Sequence, residues 1–361
     1  MQPIKDRRAS GNTEVVALLE RWAEKAREGR LRYAAIVACE GQMHVDVEHA
    51  GSTGCEFAAN FGFDLLKNNI FGNKRTGGAE GLGPDFVRYD LARAPIGWDF
   101  ASWLIEQEMT RVRAKAPAPL KVAFVGDVTK RKWGPAEEQM VQKVMRPLLG
   151  LIGAVEDPRA IHAAVHKEFY MLRYVTEAAQ RGEPVPMFRA GSGNREFVQD
   201  YVTITLREAD HWPHRNSNME AWLKLAHELR RRGENVFIVR DTAKAGEPFE
   251  DFPIAPAASR DLVIRTNFYA TAKCNLFAAN GPWYLALFGA RPWLMFNAVS
   301  PDDHFDANKP DMWKDFHGIA AGEQFPWSRP DQRIIWKADD SETMLAAWDE
   351  LARDRRPVAA E

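Results

Sequence analysis

Cysteine is scarce in this chain, with three in 361 residues, at Cys39, Cys55 and Cys274. No two form a C-x-x-C pair and none stands at ligand spacing from a histidine, so neither a zinc site nor a disulfide framework is expected; buried thiols in a reducing compartment are. Long apolar runs are also lacking. The longest, such as Leu285–Phe288 and Trp293–Phe296, fall far short of the roughly 18 residues a membrane span needs, and residues 1–13 have no signal-peptide core. There is no excess of charge of either sign: 48 Lys and Arg stand against 50 Asp and Glu, a net charge of −2. Without a global field, neither nucleic acid nor an anionic bilayer is an expected partner, and any anion must be bound locally. Repeats and low-complexity segments are missing too. The expectation is a cytoplasmic globular protein.

What the sequence does hold is an ordinary globular balance, 45% apolar and 27% charged, over a length that suits two or three domains. Residues 14–30 carry Val15, Leu18, Leu19 and Trp22 at helical spacing, with Asn12 or Thr13 as the cap. Two β-rich runs follow, Tyr33–Cys39 and Met43–His49, joined across Glu40-Gly41-Gln42 as a hairpin, and residues 55–69 read as helix. Residues 1–70 thus form a small α+β unit, a candidate for accessory contact or self-association through residues 14–70. Residues 71–84, with five glycines, read as a linker.

Strand and helix then alternate: Phe86–Leu91, Trp98–Lys115, Lys121–Val125, Pro135–Leu151, and a helix over 160–182. From Tyr201 the alternation is regular. Strands are expected at Tyr201–Leu206, Asn235–Arg240, Asn275–Ala279, Pro292–Asn297 and Arg333–Lys337, with helices at Ser217–Arg232, Asp261–Lys273, Trp283–Phe288 and Ser341–Ala352. Continuous apolar strands of this kind are buried on both faces, which is the pattern of a parallel sheet covered by helices. The fold class is therefore α/β, with one Rossmann-like half over 85–200 and a second over 201–361. Ligands of such sheets sit at the C-terminal ends of the strands.

Three clusters lie at those ends, one of them in the first half, where Arg93-Ala94-Pro95-Ile96-Gly97-Trp98-Asp99 joins a strand to a helix and Gly126-Asp127 follows another strand. Ala278-Ala279-Asn280-Gly281-Pro282 joins a strand to a helix, where Gly281 permits close backbone approach and the N–H groups behind Pro282 face outward; this is either an anion seat or simply a well-made turn. Arg207 leaves another strand, ahead of a polar loop holding His211, His214, Arg215, Asn216 and Ser217. Its guanidinium suits two phosphate oxygens, or else it pairs with Glu208 or Asp210. Asn216 or Ser217 is expected to cap the following helix. Asp99, Asp127, His211 and His214 are the candidate proton acceptors, although Asp99 also suits a helix start. Asp302-Asp303-His304 has metal-ligand composition without supporting geometry, and no metal is expected. Trp98, Trp212, Trp283 and Trp293 stand where they could stack on a base or sugar, or pack in the core.

Together, Val202-Thr203-Ile204-Thr205-Leu206-Arg207, the stretch Arg215-Asn216-Ser217-Asn218-x-Glu220-Ala221-Trp222 and Ala279-Asn280-Gly281-Pro282 resemble the C-terminal half of GT-B-type glycosyltransferases, with the heptosyltransferase and fucosyltransferase branches as the better-understood cases. The resemblance covers residues 85–353 and is strongest after 200. It implies two Rossmann-like domains in GT-B arrangement and metal-independent transfer from a nucleotide-diphosphate sugar to a glycan or other hydroxyl acceptor, in a bacterial surface-glycan setting. Diphosphate contacts would fall on Arg207, Arg215, Asn216, Ser217, Asn280, Gly281 and Pro282, and no cofactor beyond the donor substrate is implied. The chain departs from heptosyltransferases in having Tyr284 where they carry a histidine after the Gly-Pro. Two alternatives stay open: an epimerase or hydrolase of nucleotide sugars on the same scaffold, and an inactive binding or scaffold protein.

Overall fold

In the computed structural model the described residues are 33–39, 42–48, 82–126, 128, 133–163, 171–190, 200–210, 212–299, 309–310 and 312–354. The expected helices at 14–30 and 55–69, nearly all of the 71–84 linker, and Asp127, His211 and Asp302–His304 lie outside them. The chain divides into two units, one of residues 1–89, 117–125 and 153–165, the other of 90–116, 126–152 and 166–361.

In the first unit, β1 (Tyr33–Cys39) and β2 (Gln42–Glu48) form the expected antiparallel hairpin, in register Tyr33↔Glu48 through Cys39↔Gln42. The second strand begins one residue before the expected Met43. A separate sheet has the order β3 (Phe86–Asp90), β4 (Lys121–Val125), β5 (Val155–Glu156), with β4 and β5 parallel. β5 is too short to show a hydrophobic period, so the sequence did not reveal it. The expected helix at 160–182 is broken: a 3-10 turn spans Pro158–His162, because Pro158 fits a helix start and Asp157 accepts the Arg159 N–H at 2.9 Å.

The second unit is built on five parallel strands in the order β10-β9-β8-β6-β7: β6 (Val202–Thr205), β7 (Val236–Val239), β8 (Cys274–Ala278), β9 (Trp293–Phe296) and β10 (Gln332–Ile334). The α/β class is as expected. Its helices are α1 (Asp99–Arg113), α2 (Pro135–Met140) running through a π-helical turn (Val141–Met145) into α3 (Arg146–Ile152), α4 (Met171–Gln180), α5 (Met219–Arg231), α6 (Pro256–Arg260), α7 (Leu262–Thr271), α8 (Trp283–Leu287), α9 (Met312–His317) and α10 (Ser341–Asp354). The short α6 and α9 were not expected from the sequence, since one or two turns carry too little periodicity to read.

Alternation along each strand sorts the core into two faces. Val202, Ile204, Val236, Ile238, Leu276, Leu294 and Phe296 pack with Trp222 of α5 and Met344 and Trp348 of α10. The other face meets α7 and α8: the Tyr269 ring stands edge-on to Phe277 at 5.2 Å, and Trp283 edge-on to Trp293 at 5.5 Å. Trp283 and Trp293 are thus core residues, 4% and 0% exposed, and are not available to stack on a ligand. On this second face polar side chains satisfy one another: Thr203 donates to Asn275 Oδ1 at 2.7 Å, and the Thr205 and Tyr269 hydroxyls lie 2.8 Å apart.

Candidate functional site

The loop after β6 owes its shape to two reciprocal hydrogen-bond pairs. The Arg207 N–H donates to Ser217 Oγ at 2.8 Å, and the Ser217 N–H donates to the Arg207 carbonyl at 3.0 Å. Within that ring the Ala209 N–H donates to Asn216 Oδ1 at 3.0 Å, while Asn216 Nδ2 donates to the Ala209 carbonyl at 2.9 Å. Asn216 and Ser217 therefore close the loop, and neither caps α5 as expected. That cap is Asn218, whose Oδ1 accepts the Ala221 N–H at 3.3 Å. The helix is positioned by Asp339, a single carboxylate oxygen of which accepts the Asn218 N–H at 2.9 Å and the Trp222 indole N–H at 2.7 Å.

Arg207 is buried at the strand end. Glu208, one of its expected ion-pair partners, is held by Arg240, whose Nε donates to Glu208 Oε2 at 2.9 Å, and by Lys244 at 3.4 Å. Glu208 and Arg240 side chains are only 4% and 7% exposed, and Arg240 also donates to the Glu247 and Pro248 carbonyls at 3.1 and 3.0 Å. Trp212 takes a left-handed backbone, φ 55°, and opens the 3-10 turn Pro213–Arg215. Its exposed ring stands edge-on to His214 at 5.7 Å. His214 thus belongs to the outer side of the turn that carries Arg215.

The end of β8 lies beside this loop. Asn280 Nδ2 donates to the Thr205 carbonyl at 3.5 Å, linking the two strand ends, and Asn280 Oδ1 accepts the Trp283 N–H at 3.2 Å. A Cβ added at Gly281 would lie 1.9 Å from Cδ1 of Trp98, so the indole occupies the space next to that backbone. The first free N–H behind Pro282 is accordingly met by Asn280, and the flank of Gly281 is covered by Trp98.

Trp98 immediately precedes α1, which brings Asp99 and Ser102 to the same place. Ser102 hydrogen-bonds the Tyr284 hydroxyl of α8. Asp99 keeps an exposed residue surface, yet desolvation by the surrounding protein raises its pKa above the usual carboxylate value, opposed by a hydrogen bond from its own backbone and then by the Arg215 charge. Burial, with the Asp99 charge in second place, pushes the Tyr284 phenol up and keeps it neutral. His317, at the end of α9, is driven down to about 3, first by burial and then by Arg215. Its residue surface is partly exposed, yet both ring nitrogens are inaccessible and without hydrogen-bond partners among the described residues. The Trp313 ring lies 4.2 Å from the imidazole, and the His317 carbonyl accepts from Thr176 Oγ1 at 2.7 Å.

Arg215 is thus the shared charge of a group comprising Asp99, Tyr284 and His317. Of the residues expected from sequence, the structure brings together Asp99 and Arg215, and ties Arg207, Asn216 and Ser217 into the adjoining loop and Asn280, Gly281 and Pro282 into the adjoining turn. Ser102, Tyr284 and His317 were not expected there as working groups; the only signal was Tyr284 standing in the position of a family histidine. Among the described residues no cluster of three His, Cys, Asp or Glu side chains could hold a metal ion, and no helix is long and apolar enough to cross a membrane.

No protein-family profile matches the chain, and no curated protein does. Among solved structures it is similar to the bacterial iron-containing dodecameric glycosyltransferase TibC from enterotoxigenic E. coli, at 15% identity over 75% of this chain and 77% of that one, with a TM-score of 0.43. It is also similar to the E. coli heptosyltransferase WaaC with ADP, at 13% identity over 74% and 98% of the two chains, TM-score 0.39. A third likeness is to E. coli ADP-heptose LPS heptosyltransferase II, at 10% identity over 74% and 99%, TM-score 0.43.

Proposed function

We propose that this protein transfers a glycosyl group from a nucleotide-diphosphate sugar to a hydroxyl acceptor, as a cytoplasmic step of surface-glycan synthesis. The observation that carries the reading is an accessible carboxylate, Asp99, in the field of Arg215 at the C-terminal ends of a parallel sheet, where such sheets take their ligands. In the reaction the acceptor oxygen attacks the anomeric carbon while the bond from that carbon to the diphosphate breaks. The diphosphate leaves with the electron pair, and the acceptor proton passes to Asp99. Desolvation increases the proton affinity of Asp99, which strengthens it as a base. Negative charge gathers on the leaving group, and Arg215 together with Arg207 supplies fixed positive charge to meet it. Neutral Tyr284 and His317 belong to the same group around Arg215 without adding charge.

The test is calorimetric titration with ADP, UDP and GDP, followed by mass-spectrometric detection of glycosylated product from nucleotide sugars and candidate glycan acceptors. Arg207→Ala and Arg215→Gln are expected to weaken nucleotide binding, while Asp99→Asn spares binding and abolishes transfer. Nucleotide affinity unchanged in both arginine variants would end the reading.

One observation favours a second reading, that of a nucleotide-binding or scaffold protein without turnover. Trp98 lies against Gly281 and Asn280 takes the Trp283 N–H, so the turn's polar groups are already engaged by the protein. On that reading nucleotide binds, no sugar is released or transferred, and Asp99→Asn behaves as the unmodified protein.

A further inference from the structure

A concavity of about 640 Å3 opens at the other end of the five-stranded sheet. It lies where α7 ends and where Gly289–Arg291 lead from α8 into β9, away from Arg207 and Asn280. Its outer wall is the segment 186–190, fixed at two points: the Phe188 N–H donates to the Phe288 carbonyl at 2.8 Å, and the Arg189 N–H to the Leu151 carbonyl at 2.7 Å. The wall is therefore preformed. Its volume is within the range of about 300–1,000 Å3 of small-molecule sites.

The lining has two characters. Ile152, Pro186, Met187, Phe188, Leu285 and Ala286 supply an apolar body. Most of the polar lining is used up internally. Glu108 holds Arg111 through both carboxylate oxygens at 2.7 Å, Thr266 donates to the Leu262 carbonyl at 2.8 Å, and Asn275 and Tyr269 serve the sheet as described above. Two guanidiniums remain. Arg189 is exposed, and Arg291 donates its Nε to the Ala270 carbonyl at 2.7 Å. Neither has a carboxylate partner among the described residues, whereas Arg111, Arg113, Arg230, Arg231, Arg232, Arg240 and Arg329 all do. An apolar cavity with two uncompensated guanidinium forks favours an anionic head on an apolar tail.

We infer that this cavity is a second ligand site, distinct from the group at Asp99, and that it takes a free amphipathic carboxylate or phosphate with its head between Arg189 and Arg291 and its tail against Met187, Phe188 and Leu285. The site stands whether or not the protein is a transferase, because none of its residues belongs to the group around Asp99 and Arg215.

The experiment is isothermal titration of the full chain with monomeric decanoate and with decanol, its neutral counterpart. Saturable one-site binding of decanoate is expected, with decanol weaker by roughly ten-fold or more. Arg189→Gln with Arg291→Gln should weaken decanoate by a similar factor, and Ala290→Trp, an exposed position at the rim, should block it. Arg189→Gln alone tests the head contact at an exposed side chain where folding is not at stake. Equal binding of decanol and decanoate, unaltered binding in the arginine variants, no saturable binding, or binding confined to anionic vesicles would each overturn the assignment.

Discussion

Trp98 and Gly281 come from segments nearly two hundred residues apart, yet the indole lies so close to the glycine that a methyl group there would fall 1.9 Å from Cδ1 and 2.3 Å from Cγ. Glycine is required at 281 by that close approach. Because the obstacle is an aromatic ring and not the end of a flexible chain, Gly281→Ala must displace it. Urea unfolding is expected to show a loss of about 1–3 kcal/mol, the usual cost of overpacking. A double variant with Trp98→Ala should lose less than the two single changes added together; additive losses would mean that the contact does not couple the two residues.

On the proposed transferase reading, the pH dependence of transfer follows from Asp99. It works as a base only when ionised, so kcat/KM should fall as pH drops through its raised pKa. Arg215 favours the ionised form, so Arg215→Gln should move that acid limb to higher pH. Asp99→Asn should lower turnover by about 10²–10⁴-fold, the scale of general-base contributions. A limb that stays in place in Arg215→Gln would dissociate the two residues.

His317 makes stability itself depend on pH. In the unfolded chain its imidazole takes up a proton below about 6.5, whereas in the fold it resists until about 3. Between those values the unfolded state binds more protons, so stability must rise with pH across the window and fall as pH drops through it. His317→Gln should flatten this part of the profile of urea midpoint against pH. An unchanged slope would place the responsible group elsewhere.

The ion pair of Arg240 with Glu208 is buried, and it holds the start of the loop that carries Arg215. Arg240→Ala leaves the Glu208 charge with only the exposed Lys244 as a cationic partner among the described residues, and a loss of about 3–5 kcal/mol is expected from chemical denaturation. Replacing both residues by apolar side chains should cost much less than Arg240→Ala alone. A loss of well under about 1 kcal/mol in Arg240→Ala, the scale of a surface pair, would show that the pair is hydrated in solution.

The parallel sheet of the second unit could be read from sequence because β7 and β9 are unbroken apolar runs and β6 and β8 are interrupted only by Thr203, Thr205 and Asn275, and because Asp261 and Asn280 punctuate helix starts next to them. Arg207 and the Asn280–Pro282 turn were legible for the same reason, since a residue just beyond a buried strand must stand at the sheet's end. Asn216 and Ser217 were recognised as polar loop residues, but their use in closing the loop depends on a return of the chain to Arg207 and Ala209 that no local pattern encodes. Ser102, Tyr284 and His317 were hidden differently. Ser102 and Tyr284 sit in helices whose neighbours are apolar, where each reads as packing, and His317 ends a helix too short to be seen.

The sequence by itself determined the α/β class, the order of strand and helix after residue 200, and the polar character of the strand ends, because burial on both faces demands uninterrupted apolar strands and local hydrogen bonding demands punctuated turns. Tertiary structure alone decided that Asp99, Tyr284 and His317 share the charge of Arg215, that Trp98 covers Gly281, and that Arg189 and Arg291 flank one cavity. Those relationships join segments far apart in the chain, and their energies depend on distance and on exclusion of water, neither of which is written in the order of residues.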